Sequence, residues 1–274
     1  RREQSEMTAF VNKFTSSMLL LTCLSVCVAL LFTSCDIEQS DVDPVVVTGS
    51  IIVTTHTPEE DEIIGASIFL DGIATAKSTP DTLFDIEIGQ HEVEVSKLGY
   101  VESTQNVEVV ATLASTAAIE MSINWGSEVG SMAYDFSLPS LEDSSIYTLF
   151  DYRGKVVLAS FFTNNCAPCL VEFPHIQEVW EDPRFTDKIQ FFGINGQDIW
   201  QIAVMFSDLH PELGLTFPLL HDATQQVRAV DYNVIAHPAN FLIDQNGVIR
   251  YRWGSITEEL LEDAVQTLLA EADQ

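Results

Sequence analysis

The sequence predicts an α/β fold with a mixed central sheet and flanking helices, preceded by a small all-β sandwich. Two observations support this fold class. Between residues 45 and 123, short β-type runs are separated by turn signals, which is typical of an antiparallel sandwich. Between residues 133 and 274, apolar strand-like runs alternate with helix-compatible segments, which is typical of a sheet covered by helices.

The composition fits an acidic globular chain. The 274 residues are enough for two ordinary domains, and 46% of them are hydrophobic, so sizeable cores can form. The formal net charge is −29 with only 12 basic residues. This charge argues against nucleic acid as a partner, because there is no basic patch to neutralise phosphates. It also argues against adsorption on anionic lipid headgroups.

Residues 1–34 have the features of a secretory signal peptide. A basic start precedes the apolar run 18–32, which is short for a spanning helix. Residues 31–35 resemble the lipobox of bacterial lipoproteins, and this resemblance implies lipidation of Cys35. The alternatives are an uncleaved anchor or an ordinary secretory peptide. In each case we expect export to the bacterial cell envelope, with the acidic residues 35–48 as a tether.

Residues 49–123 are predicted to form the sandwich, with strands at 50–55, 66–70, 84–88, 91–95, 106–110 and 117–121. Asp71-Gly72 and Thr79-Pro80 are turn signals, and Gly89-Gln90 could turn between two strands. Together with residues 65–72 and 98–100, this pattern resembles the PEGA domain, an immunoglobulin-like β-sandwich of exported bacterial proteins. The resemblance implies a spacer or contact module without catalytic residues. The Gly- and Ser-containing segment 124–132 is the predicted linker.

Residues 133–274 are predicted to form the α/β part. The predicted strands are 156–162, 189–194, 217–220, 240–243 and 248–253, and the predicted helices are 197–209, 223–230 and 256–272. Asp222 is a possible N-cap of the helix that follows it. The sequence Asp244-Gln245-Asn246-Gly247 is a strong hairpin signal between the last two strands.

Two cysteines with C-x-x-C spacing, Cys166 and Cys169, follow the apolar run 156–162 and precede a helix-compatible segment. The start of a helix stabilises negative charge, so a thiol there loses its proton readily and becomes reactive. Cys169 lies about one turn further on and could close a disulfide with it. The motif therefore indicates a redox dithiol.

Two other uses of this motif fit the sequence less well. Zinc needs about four ligands, and the chain has no second cysteine pair. A structural disulfide that closes so short a loop constrains the unfolded chain little. Of five cysteines, Cys23 and Cys27 lie in the signal and Cys35 is assigned to the lipid, so one pair remains for chemistry.

The C-terminal part resembles the thioredoxin fold, and more closely the membrane-tethered TlpA/ResA-type thiol–disulfide oxidoreductases. The matching segments are 135–139, 149–158, Cys166-Ala167-Pro168-Cys169, 172–174 and 237–244. The family implies that Cys166 is the exposed nucleophile and Cys169 the buried resolving thiol of a redox disulfide. It implies Glu172 as a proton acceptor, and Pro238 as a cis-proline that binds the substrate backbone through the preceding residue, His237.

The same resemblance implies the function of the whole chain. It would be a membrane-anchored, exported oxidoreductase that reduces disulfides of envelope proteins by dithiol–disulfide exchange. Apocytochrome c is one possible substrate, and a membrane electron donor would restore the reduced form. Neither a cofactor nor a metal is expected.

Three residues depart from the family pattern. Asn165 stands where tryptophan is usual before the first cysteine, and Ser160 stands where thioredoxins have a buried acid. His237 precedes the proline where threonine, valine or isoleucine is common. If His237 lies beside the dithiol, its charged form would lower the pKa of the thiol. The alternative is an ordinary, partly exposed histidine.

Three alternative functions stand beside disulfide exchange. A thiol peroxidase would also use Cys166, with Thr163 three residues before it, but the proline expected earlier is replaced by Ala159. A copper chaperone of this fold favours C-x-x-x-C spacing. The sandwich could also belong to an envelope adhesion or scaffold protein whose second domain is redox-inactive.

Overall fold

The structure is a computed structural model that describes residues 46–272. The predicted signal peptide, the predicted lipidation site Cys35 and most of the predicted tether lie outside the described residues. From Val47 onward the chain forms one compact unit. No helix between residues 46 and 272 is both long enough and apolar enough to cross a membrane.

The N-terminal half is built from strands. They are β1 (Thr48–His56), β2 (Ser67–Leu70), β3 (Ile73–Ser78), β4 (Asp81–Glu87), β5 (Gly89–Ser96), β6 (Ser103–Val109) and β7 (Ala114–Glu120). They form two sheets, with strand orders β4-β1-β7 and β3-β2-β5-β6. Alternate apolar side chains, such as Ile51, Val53, Val93 and Val95, are fully buried in one common core. The predicted all-β fold is confirmed for this half.

Three details of the sandwich differ from the prediction. β1, the first strand of the sandwich, pairs in parallel with β7, the last. The alternation of apolar residues predicts where strands lie but not which strands become neighbours. β3 was not predicted, because this edge strand has no fully buried side chain and so lacks a clear apolar alternation. Its Ile73 is 72% exposed. Gly89-Gln90 does not form a hairpin turn. It begins β5, and β4 and β5 lie in different sheets.

The segment 124–132, predicted as a linker, is held by backbone hydrogen bonds to both of its neighbours. On the sandwich side, the Gly99 N–H donates to the Gly130 carbonyl at 2.9 Å. On the other side, Gly130 donates to Ile249 at 2.8 Å, and Ile249 donates to Ser131 at 2.9 Å. The glycines and serines of this segment therefore mark turns, and the segment is an ordered part of the compact unit.

The C-terminal half alternates strands and helices. Its strands are β8 (Ser137–Pro139), β9 (Ile146–Thr148), β10 (Val156–Phe162), β11 (Ile189–Asn195), β12 (Leu219–His221), β13 (Ala239–Ile243) and β14 (Ile249–Trp253). Its α-helices are α1 (Ala167–Glu181), α2 (Trp200–Ala203), α3 (Phe206–Leu209) and α4 (Glu258–Ala272). Short 3₁₀ turns span Leu149–Tyr152 and Pro211–Leu213, and a π-helical turn spans Gln226–Asp231. The main sheet has the order β12-β11-β10-β13-β14, which confirms the predicted mixed sheet with flanking helices.

Strand β10 lies at the centre of this sheet, and all its residues are buried. It pairs in parallel with β11 and antiparallel with β13. Leu158 and Phe162 belong to the core formed with α1 and α4, whereas Phe161 belongs to the core on the other face. A strand buried on both faces has a continuous apolar sequence. This run ends at the polar turn that leads to Cys166.

Two predicted helices are shorter than expected. The segment 197–209 forms only α2 and α3. Between them the Ile202 carbonyl accepts hydrogen bonds from the Met205 N–H at 3.1 Å and from the Asn164 side chain at 2.6 Å. That carbonyl would otherwise accept from residue 206 in a continuous helix. The segment 223–230 forms only the π-helical turn. The N-cap of this turn is Gln225 and not Asp222 as predicted. The Asp222 carboxylate still accepts from a backbone amide of the first turn, the Arg228 N–H, at 2.8 Å.

Gly247 closes the β13–β14 hairpin and should tolerate substitution poorly. Its φ is +83°, and an added Cβ would overlap the guanidinium of Arg153, which donates to the Asn246 carbonyl. We expect Gly247→Ala to lower the free energy of unfolding by about 2 kcal/mol. Roughly half would come from the backbone conformation and half from the lost hydrogen bond. Urea unfolding measures this loss.

Gly72→Ala is the matched control for this variant. Gly72 has a similar φ of +76°, but nothing lies within 4 Å of an added Cβ. It should lose only about 1 kcal/mol, since it carries the backbone cost alone. Equal losses in the two variants would mean that the Arg153 contact contributes nothing to stability.

Candidate active site

The two cysteines lie where β10 ends and α1 begins. Cys166 directly precedes α1, and its Sγ accepts a hydrogen bond from the Cys169 N–H at 3.3 Å. The pair is joined by a disulfide. Pro168 fits the first turn of α1 because amides there have no partner within the helix. When the disulfide opens, the free amides and the dipole of the helix stabilise a thiolate at Cys166.

The two sulfur-bearing residues differ little in exposure. Cys169 is fully buried and Cys166 is 7% exposed. The expectation of an exposed Cys166 is therefore wrong for the disulfide form, because Cys166 belongs to the same buried cluster as Phe162 and Phe173. Cys169 is the more deeply buried of the two, and the roles of nucleophile and resolving thiol stay predictions.

Glu172 lies on α1 one turn after Cys169 and is only 1% exposed. Its carboxylate accepts hydrogen bonds from the Asn240 amide at 3.2 and 3.3 Å and from the Ile256 N–H at 3.1 Å. Burial raises the pKa of Glu172 to about 7, although these donors act in the opposite direction. A carboxyl group with this pKa can exchange a proton at neutral pH.

The peptide bond between His237 and Pro238 is cis, as predicted, and Pro238 is buried. Strand β13 begins at the next residue, Ala239, which pairs with Phe161 near the end of β10. The sheet therefore brings the start of β13 to the same edge as the turn that leads to Cys166.

His237 is half-buried, and its Nε2 has no hydrogen-bond partner in the described part of the chain. Burial lowers the pKa of His237, and the positive charge of Arg228 lowers it further, while Asp198 raises it. Both burial and Arg228 therefore favour the neutral imidazole. This shift acts against the positive charge that the sequence hypothesis assigned to His237 as a thiolate stabiliser, and that role stays a hypothesis.

Each half of the chain is similar to known families or proteins. Residues 129–252 match the AhpC/TSA family, and residues 49–122 match the PEGA domain. The chain is 34% identical over 142 residues to the thiol-disulfide oxidoreductase ResA of Geobacillus kaustophilus, covering 51% of this chain and 78% of that protein.

The chain belongs to the ResA-like thiol–disulfide oxidoreductases. It is also 30% identical over 138 residues to the thioredoxin-like protein YneN of Bacillus subtilis, covering 50% of this chain and 78% of that protein. A solved thioredoxin-family thiol:disulfide interchange protein from Chlorobium tepidum is 21% identical, with a TM-score of 0.44, covering 50% of this chain and 95% of that one. The predicted family, the PEGA resemblance and the enzyme class are confirmed.

This ResA-like site contains a polar network that the sequence patterns did not predict. The Asp198 carboxylate accepts from the Asn164 N–H at 2.8 Å and from the Asn195 side chain at 2.9 Å. Asn195 also donates to the Asn164 side-chain oxygen at 3.0 Å. Asn164 and Asn195 are almost fully buried. The network holds the turn between β10 and Cys166 in one conformation.

A signal for this network is nevertheless present in the sequence. His221 joins the network through its Nε2 atom, which lies 2.9 Å from the Asp198 backbone carbonyl. Asn164, Asn195 and His221 each stand at or just after the end of an apolar run that becomes a parallel strand. The carboxyl ends of parallel strands meet at one edge of a sheet, where α/β proteins place their sites. Polar residues that share this position along successive strands can therefore be grouped as neighbours from the sequence alone.

In the described part of the chain, one cluster brings three potential metal ligands together. His175, Glu178 and Glu258 place ligand atoms within 4.8 Å of one another, and both glutamates are exposed. The cluster includes neither Cys166 nor Cys169. Within residues 46–272, no set of three potential metal ligands includes either cysteine, as a zinc site at the C-x-x-C motif would require.

Proposed function

We propose that this ResA-like chain is an exported, lipid-anchored enzyme that reduces disulfides of envelope proteins. The observation that carries the proposal is the arrangement of three groups on one helix. Cys166 lies at the start of α1, Cys169 is disulfide-bonded to it, and the buried Glu172 follows one turn later. These positions match a nucleophile, a resolving thiol and a proton acceptor.

The proposed reaction begins with the reduced enzyme. The Cys166 thiolate attacks one sulfur of the substrate disulfide, and the other substrate sulfur leaves as a thiolate that takes a proton from water. Glu172 then removes the proton of the Cys169 thiol. The Cys169 thiolate attacks Cys166 Sγ, which breaks the bond to the substrate and releases it reduced. The enzyme is left with the Cys166–Cys169 disulfide.

The cis-proline segment is the proposed substrate-binding element. The backbone of His237, directly before Pro238, would pair with an extended stretch of the substrate on either side of its cysteine. Support comes from the sheet, because the antiparallel pairing of β13 with β10 brings this segment to the edge where Cys166 lies. The buried Nε2 of His237 remains free of partners in the described structure.

Three further parts of the proposal concern location and partners. Lipid attached to Cys35 would hold the enzyme at the membrane of the cell envelope, with residues 35–48 as a tether. Its substrates would be exported proteins with disulfides, apocytochrome c among them. A membrane electron donor would reduce the Cys166–Cys169 disulfide after each turnover, and the exchange reaction itself requires no cofactor.

The decisive experiment combines cell fractionation with a measurement of the reduction potential. The full chain is produced in bacteria and should be recovered in the membrane fraction. Equilibration of the Cys166–Cys169 pair with a dithiothreitol series should give a potential near that of thioredoxin, about −270 mV, or below. Recovery as a soluble protein would contradict the anchor. A potential near about −120 mV would contradict reduction as the direction of electron flow.

A further inference from the structure

Glu172 lies against two buried polar side chains of the central sheet. Ser160 on β10 and Asn240 on β13 are Cα partners in the antiparallel pairing, and both are fully buried. Their neighbours on the same face of the sheet, Leu158 and Leu242, belong to the core beneath α1 and α4. Buried polar groups cost free energy unless they are hydrogen-bonded, so this pair needs an explanation.

The orientation of the Asn240 side chain is determined by its surroundings. Its Nδ2 faces three acceptors, namely both Glu172 carboxylate oxygens at 3.2 and 3.3 Å and the Gly254 carbonyl at 2.5 Å. The Oδ1 atom points elsewhere and has no partner within residues 46–272. An unpaired buried acceptor costs free energy. The Asn240 side chain therefore adopts a conformation that leaves Oδ1 unpaired, at a cost in free energy, and directs its amide donor at the Glu172 carboxylate.

Ser160 has a related position. Its Oγ is buried and has no hydrogen-bond partner in the described structure, so its O–H is free to turn toward Glu172. The hydroxyl, the Asn240 amide and the Ile256 N–H are neutral groups that all lower the pKa of Glu172 against the effect of burial. No charged side chain of residues 46–272 is among the causes of that shift.

We propose that Asn240 and Ser160 are positioning residues that hold the Glu172 carboxylate in place and favour its charged form, so that it can accept the proton of the Cys169 thiol. This inference rests on the proposed role of Glu172 in disulfide exchange. In the mixed disulfide, the Cys169 S–H bond breaks and its proton goes to Glu172. The sulfur keeps the electron pair with which it attacks Cys166. Without the two donors, the buried carboxyl group would hold a proton of its own at neutral pH and could not accept that of Cys169.

The test is a carbon-13 NMR titration of the glutamate carboxyl groups in the full chain with its disulfide formed. In Asn240→Leu and in Ser160→Ala, the Glu172 midpoint should rise by about one pH unit, because a donor to the charged form is lost. Gln190→Leu and Ser140→Ala are the matched controls. They remove a buried amide and a buried hydroxyl that have no hydrogen bond to Glu172, and they should leave the midpoint unchanged.

A second readout is the pH profile of substrate release from the mixed disulfide, which should move to higher pH by the same amount. Unchanged midpoints and profiles in folded Asn240→Leu and Ser160→Ala would overturn the inference. If Asn240→Leu does not fold, the smaller Ser160→Ala change decides alone. The titration requires no turnover, so a wild-type enzyme that failed to reduce substrates would overturn the proposed function while leaving the positioning of Glu172 measurable.

Discussion

Replacement of Cys169 by serine should turn the enzyme into a trap for its own substrates. Cys166 would still attack a substrate disulfide, but no second thiol would be present to release the product. We expect turnover to fall by at least about a thousandfold, equivalent to roughly 4 kcal/mol in the activation barrier. A covalent enzyme–substrate complex should accumulate. Non-reducing electrophoresis and mass spectrometry of the full chain with a disulfide-containing protein measure both effects.

Cys166→Ser is the matched control, because it removes the other sulfur of the same disulfide. It should abolish turnover to the same extent without any covalent complex, since Cys169 is fully buried and cannot reach a protein substrate. A complex that forms through Cys169 in this variant would reverse the two assigned roles. Serine in place of either cysteine adds a buried hydroxyl, so thermal unfolding of both variants should be recorded alongside.

The position of the cysteines could be predicted from the sequence because the signal is local. The buried run 156–162 predicts a strand, Pro168 is typical of a helix start, and Cys166 stands between them. The hairpin at Asp244–Gly247 was predicted for the same kind of reason. Parallel pairing of β1 with β7 could not be predicted, because it depends on how the whole sandwich closes.

The environment of the site residues could not be predicted from local patterns. A glutamate on a helix is usually solvated, whereas Glu172 is covered by distant segments, among them Asn240 and the segment at Ile256, which lies 84 positions later. The lowered pKa of His237 depends in the same way on burial and on Arg228, which a local sequence pattern does not place near it. The motifs therefore identify the reactive residues, whereas the protonation states of these residues depend on the tertiary structure.

Glu172→Gln should remove a specific pH dependence of stability in the disulfide form. The pKa of Glu172 is about 7 in the folded protein, against an ordinary value of 4.5 in the unfolded chain, so the folded state binds the proton more tightly. Between these values the folded state carries more protons than the unfolded state, and stability falls as pH rises. The full loss, above pH 7, is at most about 3 kcal/mol for a shift of this size.

Urea unfolding of wild type and Glu172→Gln at pH 5, 6, 7 and 8 measures this effect. The two proteins should have similar stabilities at pH 5, where Glu172 is protonated and resembles glutamine. At pH 8 the variant should be the more stable by up to about 3 kcal/mol, because it has no charge to bury. Glu181→Gln, on the exposed end of the same helix, should follow the wild-type curve.

The same variant should lose activity where it gains stability. Glutamine cannot accept the proton of Cys169, and loss of a positioned proton acceptor lowers a rate by about a hundredfold or more. The expected result is therefore a slow, pH-insensitive release of substrate from a protein that is more stable than wild type at pH 8. Equal pH dependence of stability in Glu172→Gln and wild type would show that folding does not raise the pKa of the Glu172 carboxyl group. Ionisation of Glu172 would then leave the free energy of unfolding unchanged, and the burial of Glu172 would no longer explain a role in proton transfer.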